Sequence, residues 1–126
     1  MQARFTAGLA AGILGLLLAS APALAHHGWA GQGTEPFTLK GTVAKVLSLS
    51  GPHATMQIKD ATGQVWDLTL APPARTSNAG LKEDTIPVGA EVTILGKRNL
   101  DQKKFEVKTE RVTWNGKNYD DYPDRL

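Results

Sequence analysis

Residues 64–80 read QVWDLTLAPPARTSNAG, and the order of signals inside them decides the fold. Trp66, Leu68 and Leu70 recur at every second position, the period that puts side chains on one face of a strand. Pro72 and Pro73 end that strand, because proline has no N–H for a neighbouring strand and suits the first positions of a helix instead. A short helix is expected through Ala74 to Ala79, stopped by Gly80 at the position where a helix C-terminus favours glycine. What stands on either side of this strand and helix then fixes the topology.

Upstream, Ala61-Thr62-Gly63 reads as a hairpin turn leading back to a strand over His53 to Asp60, with Ala54, Met56 and Ile58 on one face. Gly51-Pro52 supplies the turn before it. Phe37 to Ser50 is a long first strand: Phe37, Leu39, Gly41 and Val43 share a face, and Val46, Leu47 and Leu49 then blur the parity, as happens when a strand bends to serve two sheets. Downstream, Leu81 to Pro87 connects to a fourth strand over Ala90 to Arg98, with Val92 and Ile94 inward, and Asn99 to Lys103 turns the chain. The fifth strand, Lys104 to Trp114, carries Phe105 and Val107 on one parity and Val112 and Trp114 on the other, so a bulge is expected between Val107 and Val112. Asn115-Gly116 is a tight-turn signal. Beyond it, the chain to Leu126 is polar and acidic, with Tyr119 and Tyr122 packing back and Asp120-Asp121 expected in solvent. Five strands with a helix between the third and fourth make a mainly β fold, an OB-like closed barrel over residues 37–118.

The chain opens differently. Met1 to Ala25 has Arg4 near its start, an apolar run over Leu9 to Ala19 and the small-residue ending Ala23-Leu24-Ala25, the three-part layout of a secretory signal with its cut after Ala25. The run is shorter than a membrane span needs and is interrupted by Gly12 and Gly15. Removal of 25 residues from 126 leaves 101, enough for one small domain. Without Arg4, 13 basic side chains face 12 acidic ones, and no basic block stands out. Export and near-neutral charge argue against a nucleic-acid partner, although barrels of this kind often bind single strands. There is no cysteine, so disulfides and thiolate metal sites are excluded.

Several stretches together resemble one family. They are the His-His after the signal, Gly41-Thr42-Val43, Pro52-His53, the strand with Trp66, Leu70 to Arg75, Gly80-Leu81, Pro87-Val88-Gly89 and Val92 to Gly96. As a set they resemble the bacterial exported domain DUF6152 over about residues 26–118. The resemblance implies a small periplasmic β-barrel domain without an assigned activity. Members often read Asn-Pro-His where this chain has Gly51-Pro52-His53, and often carry an aromatic slightly earlier, where it has Leu47 to Ser50.

The chain's three histidines fall in two places, His26-His27 at the expected mature start and His53 at the turn into the second strand. After cleavage, the free amine of His26 and its ring Nδ1 can chelate one ion, and a further imidazole would complete a copper-binding histidine brace. Such nitrogen ligands suit copper, with zinc or nickel as alternatives. The plainer readings stay open: exposed terminal histidines bind metal loosely without a role, and His53 caps a turn. Trp29 is the one large apolar group of the lead-in, residues 26–36, and is expected to pin it by packing rather than to stack on a ligand. Arg75, at one barrel end, either meets an anion or faces solvent. No nucleophile elbow accompanies Ser48 or Ser50, and the glycines are scattered in turns rather than gathered in a phosphate loop. The expectation is a periplasmic or secreted binding domain that is not an enzyme and has no membrane span after cleavage. It would take copper or another divalent ion through His26, His27 and His53. The alternative is an interaction module that docks on an envelope protein without metal. A pocket in the barrel mouth for a small apolar or sugar-like ligand is a weaker third reading.

Overall fold

The computed structural model describes residues 29–126, so the expected signal segment, His26 and His27 lie outside the described residues. Six strands form: β1 (Phe37–Ser48), β2 (Thr55–Lys59), β3 (Val65–Thr69), β4 (Glu91–Arg98), β5 (Glu106–Trp114) and β6 (Lys117–Asp120). One helix, α1 (Pro73–Asn78), lies between β3 and β4, as the two prolines imply. The strands run in the order β3-β2-β1-β4-β5-β6, and β3 also pairs in parallel with β5, matching Asp67 with Glu106 and Thr69 with Lys108. That last pairing closes strands β1 to β5 into the expected five-stranded barrel.

Alternation along the strands fills its interior. Leu39, Val43 and Leu47 of β1, Met56 and Ile58 of β2, Trp66 and Leu68 of β3, Val92 and Ile94 of β4, and Val107 and Val112 of β5 are all buried in one cluster. The blurred parity late in β1 has a structural cause: its register with β2 shifts between Val43 and Lys45 and again between Lys45 and Ser48. Those irregularities return Leu47 to the interior face while the strand turns from β4 to β2.

The bulge expected in β5 falls at Glu110, where the pairing passes from Leu95 with Arg111 to Gly96 with Thr109. One inserted residue bends a strand and re-aims its neighbours. Val107, Lys108, Thr109 and the inserted Glu110 are all buried, two ionisable groups among them. Glu110 is paired with Lys97 Nζ at 2.7 Å. At the same crossing, β4 and β5 approach so closely that a Cβ on Gly96 would lie 2.1 Å from the Lys108 carbonyl oxygen.

The C-terminal segment differs from the polar tail expected for it. Asn115 and Gly116 take φ of 50° and 73°, as a tight hairpin turn requires, and Lys117–Asp120 returns as β6 against β5. Tyr119 and Tyr122 pack back and are buried. Asp121, expected in solvent, is buried too, whereas Asp120 pairs with Arg111 at 2.6 Å.

Gly80 ends α1 at φ 100°, donating its N–H to Ser77 O at 2.9 Å, while Leu81 N–H donates to Thr76 O at 3.2 Å. These two bonds satisfy carbonyls that a helix end leaves open, in the pattern that favours a left-handed residue. Thr76 is the one buried residue of this helix, which lies at one end of the barrel where β3 leaves it.

At the opposite end, Asp60 organises the β2–β3 turn. Its Oδ1 accepts from the Thr62 hydroxyl at 2.6 Å, Thr62 N–H at 2.9 Å and Gln64 N–H at 3.0 Å, and its Oδ2 from the Trp66 indole at 2.9 Å. The Thr62 hydroxyl first and the Trp66 indole second lower its pKa from 3.8 to about 2. A carboxylate with a folded pKa below its unfolded value contributes stability above the unfolded pKa and loses it as pH falls through the folded one. The melting temperature is therefore expected to fall between pH 4 and pH 2, and Asp60→Asn to flatten that part of the profile. An unchanged acid slope in Asp60→Asn would contradict this.

Candidate functional site

The end of the barrel that bears α1 gathers the chemistry. As the chain leaves β3, Leu70 N–H donates to Ala54 O at 2.8 Å and Ala54 N–H donates to Ala71 O at 2.9 Å, which fixes the residue next to His53 against Leu70 and Ala71. Lys108 donates from Nζ to Leu70 O at 3.2 Å. Asp121 Oδ2 accepts from Ala71 N–H at 3.0 Å and lies 2.9 Å from the Thr76 hydroxyl, which is also 3.0 Å from Ala71 O. Asp121 Oδ1 is buried with no partner.

The lead-in closes over this end. Gly33 N–H donates to Arg98 O at 2.8 Å, Leu100 N–H donates to Gly31 O at 2.8 Å, and Gln32 bridges to Asn99. Those bonds anchor Trp29, whose ring meets Tyr122 edge-on at 5.1 Å between centroids. Lys108 Nζ stands 5.5 Å from both ring centroids, Arg125 Cζ 3.9 Å from that of Trp29, and Arg75 Cζ 5.0 Å from that of Tyr122. Trp29 is therefore a packing anchor, as expected of it, and its packing partners are cations and an aromatic ring.

Burial and charge set the protonation here. Burial pushes Lys108 down from 10.5 to about 8, with Arg125 adding to the fall and Asp121 opposing it. Burial likewise raises the Asp121 carboxyl, against the pull of its hydrogen bonds and of Lys108. His53, half-buried, is held below its ordinary value by burial first and by the Lys108 charge second. A lowered imidazole pKa keeps the ring neutral, the form that offers a lone pair to a metal ion.

A family model described as "Family of unknown function (DUF6152)" matches residues 14–108. The chain belongs to this family. Its members' description carries no activity, so the site must be argued from its own residues. Among solved structures, the chain is similar to apo TiaS, a tRNAIle2 agmatidine synthetase, at 18% identity and a TM-score of 0.47. That match covers 64% of this chain and 18% of the other, so this chain corresponds to under a fifth of that protein. No curated protein matches.

Of the three histidines singled out in this DUF6152 chain, His53 is described and His26 and His27 are not. Among the described residues, no group of three His, Cys, Asp or Glu is arranged to hold a metal ion. The residues that sequence reasoning missed are Lys108, Thr76, Asp121, Tyr122 and Arg125. Strand parity from Val107 turns Lys108 away from the barrel interior, and it is buried there by residues distant in sequence, with the Trp29 and Tyr122 rings beside its amine and Leu70 O accepting from it. A separate open groove of about 560 Å³ at the other end of the strands, lined by residues including Lys40, Lys59, Glu91 and Trp114, contains no histidine.

Proposed function

We propose that this protein is an exported, non-enzymatic binding domain that takes copper, or another divalent ion such as zinc or nickel, through His26 with its free amine, His27 and His53. The observation that carries this reading is the docking of Trp29 on Tyr122 beside Lys108, the amine whose charge acts on His53. His26 lies three residues before Trp29, and an extended chain covers about 3.3–3.6 Å per residue, so its amine and ring have roughly 10 Å of reach from that anchor. That reach from the Trp29 anchor supports a site shared by the expected mature start and the barrel end that bears His53.

The donor set suits the proposed metals. An amine and imidazoles are nitrogen ligands, and copper binds such ligands most strongly among the common divalent ions. Lys108 acts in two directions: its charge repels a dication, yet it also keeps His53 deprotonated and free to ligate. Asp121 reduces the repulsion by placing a buried acid beside that amine.

Calorimetric titration of copper(II) into the chain beginning at His26 is expected to saturate at one ion. His53→Ala should weaken binding about ten-fold or more, equivalent to ~1.4 kcal/mol. Equal affinity in His53→Ala would remove that residue from the site. Indifference of the metal titration to replacement of all three histidines would favour the docking module instead.

A further inference from the structure

We propose that the end of the barrel formed by Arg75, Lys108 and Arg125 binds a small oxyanion, a carboxylate or phosphate, at the rim of the Trp29–Tyr122 pair. Three cations from three separate elements converge there: Arg75 from α1, Lys108 from β5 and Arg125 from the C-terminal turn Pro123–Arg125. Each lies over one or both of two rings that touch one another. Both guanidinium groups sit over aromatic rings and donate to no side-chain or backbone acceptor among the described residues, so their N–H groups remain for a planar or tetrahedral anion, which arginine binds in pairs of hydrogen bonds.

Among the described residues no acid forms an ion pair with these cations, although Asp121 lies near enough to Lys108 and Arg75 for its charge to act on them. Among the described residues, the ion pairs are Lys97 with Glu110 and Arg111 with Asp120, and the side chains of Arg75 and Arg125 donate to no protein acceptor. Asp121 is the buried acid of this end, but its Oδ2 is taken by Ala71 and Thr76, and Lys108 donates to Leu70 O rather than to it. Asp124 sits on the same turn as Arg125 and is exposed. Neighbouring cations with unfilled donors are what an anion relieves.

This site goes beyond the metal reading and does not depend on it. The test uses the chain beginning at His26, freed of metal on a chelating resin, with inorganic phosphate and acetate as separate probes followed by two-dimensional NMR. Saturable shifts of the Trp29 indole and the Arg125 side chain are expected, stronger for whichever anion the site prefers. Arg75→Gln/Arg125→Gln should weaken binding by about ten-fold or more, as the loss of charge-assisted hydrogen bonds implies. Both arginines are exposed, so the variant should keep the wild-type spectrum elsewhere. Replacing the three histidines by Ala should leave phosphate binding unchanged even if it abolishes copper binding. Shifts that never saturate with either probe, or saturation of equal affinity in the arginine variant, would overturn the proposal.

Discussion

Trp66→Ala is expected to destabilise the barrel by about 3–5 kcal/mol, the range for deleting a large buried aromatic side chain. Trp66 is 5% exposed, lies 5.5 Å from Phe37 and meets Phe105 edge-on at 5.2 Å between centroids. Arg98 Cζ lies 4.7 Å over the same ring, with Phe37 and Phe105 further round it at 5.8 Å and 5.6 Å. Truncation opens a cavity, strips Arg98 of its nearest ring and removes the indole donor from Asp60. A domain of this size holds roughly 5–15 kcal/mol in all, so the variant should lose a large fraction of it. Urea unfolding followed by circular dichroism measures the loss, and a change below about 1 kcal/mol would contradict the packing described, since ordinary surface substitutions stay within about half that.

Gly96→Ala is expected to cost about 1–3 kcal/mol or more, the cost of forcing atoms into a closed interior. The added methyl would meet the Lys108 carbonyl oxygen at 2.1 Å and Val107 Cγ1 at 3.0 Å. Backbone cannot step aside as the end of a side chain can, so β4 and β5 must separate at the bulge. Hydrogen exchange should show the loss directly, as faster exchange of amides on both strands around Gly96. Gly33→Ala is the control, because its nearest neighbour would be 3.4 Å away. Equal stability of the two variants would show that the close approach has no energetic consequence.

The two variants probe features that were unequally legible in the sequence. Trp66 could be read inward because Leu68 and Leu70 repeat its parity, and α1 because Pro72, Pro73 and Gly80 mark its ends. The β5 bulge was visible as a change of parity between Val107 and Val112, since a period of two cannot serve both without an extra residue. The position of that residue was not visible, and with it went the burial of Glu110, while that of Lys108 depends on Trp29 and Tyr122 coming to lie beside it. Strand β6 was missed because KNYD is short and polar; its strand character comes from pairing with Arg111 to Trp114 across the Asn115-Gly116 turn. Asp121 follows it inward because its N–H donates to Glu110 O, the inserted residue itself, at 2.9 Å.

The candidate site divides in the same way. His53 and Arg75 drew notice as residue types at a turn and at a barrel end. Lys108 and Asp121 could not, because what matters about each is a three-dimensional surrounding made by residues up to fifty positions away, as in the Asp121 bond to Ala71. Lone charges in polar stretches read as solvated until the fold buries them.

The amine of His26 is the arm of the proposed metal site that one measurement tests most directly. Copper(II) affinity is compared between the chain verified to begin at His26 and the same chain carrying one additional N-terminal residue. The extra residue converts the amine of His26 into an amide and removes one arm of the chelate, so binding should weaken by about ten-fold or more. Equal affinity in the two forms would contradict the amine chelate and leave the histidines without the arrangement proposed for them.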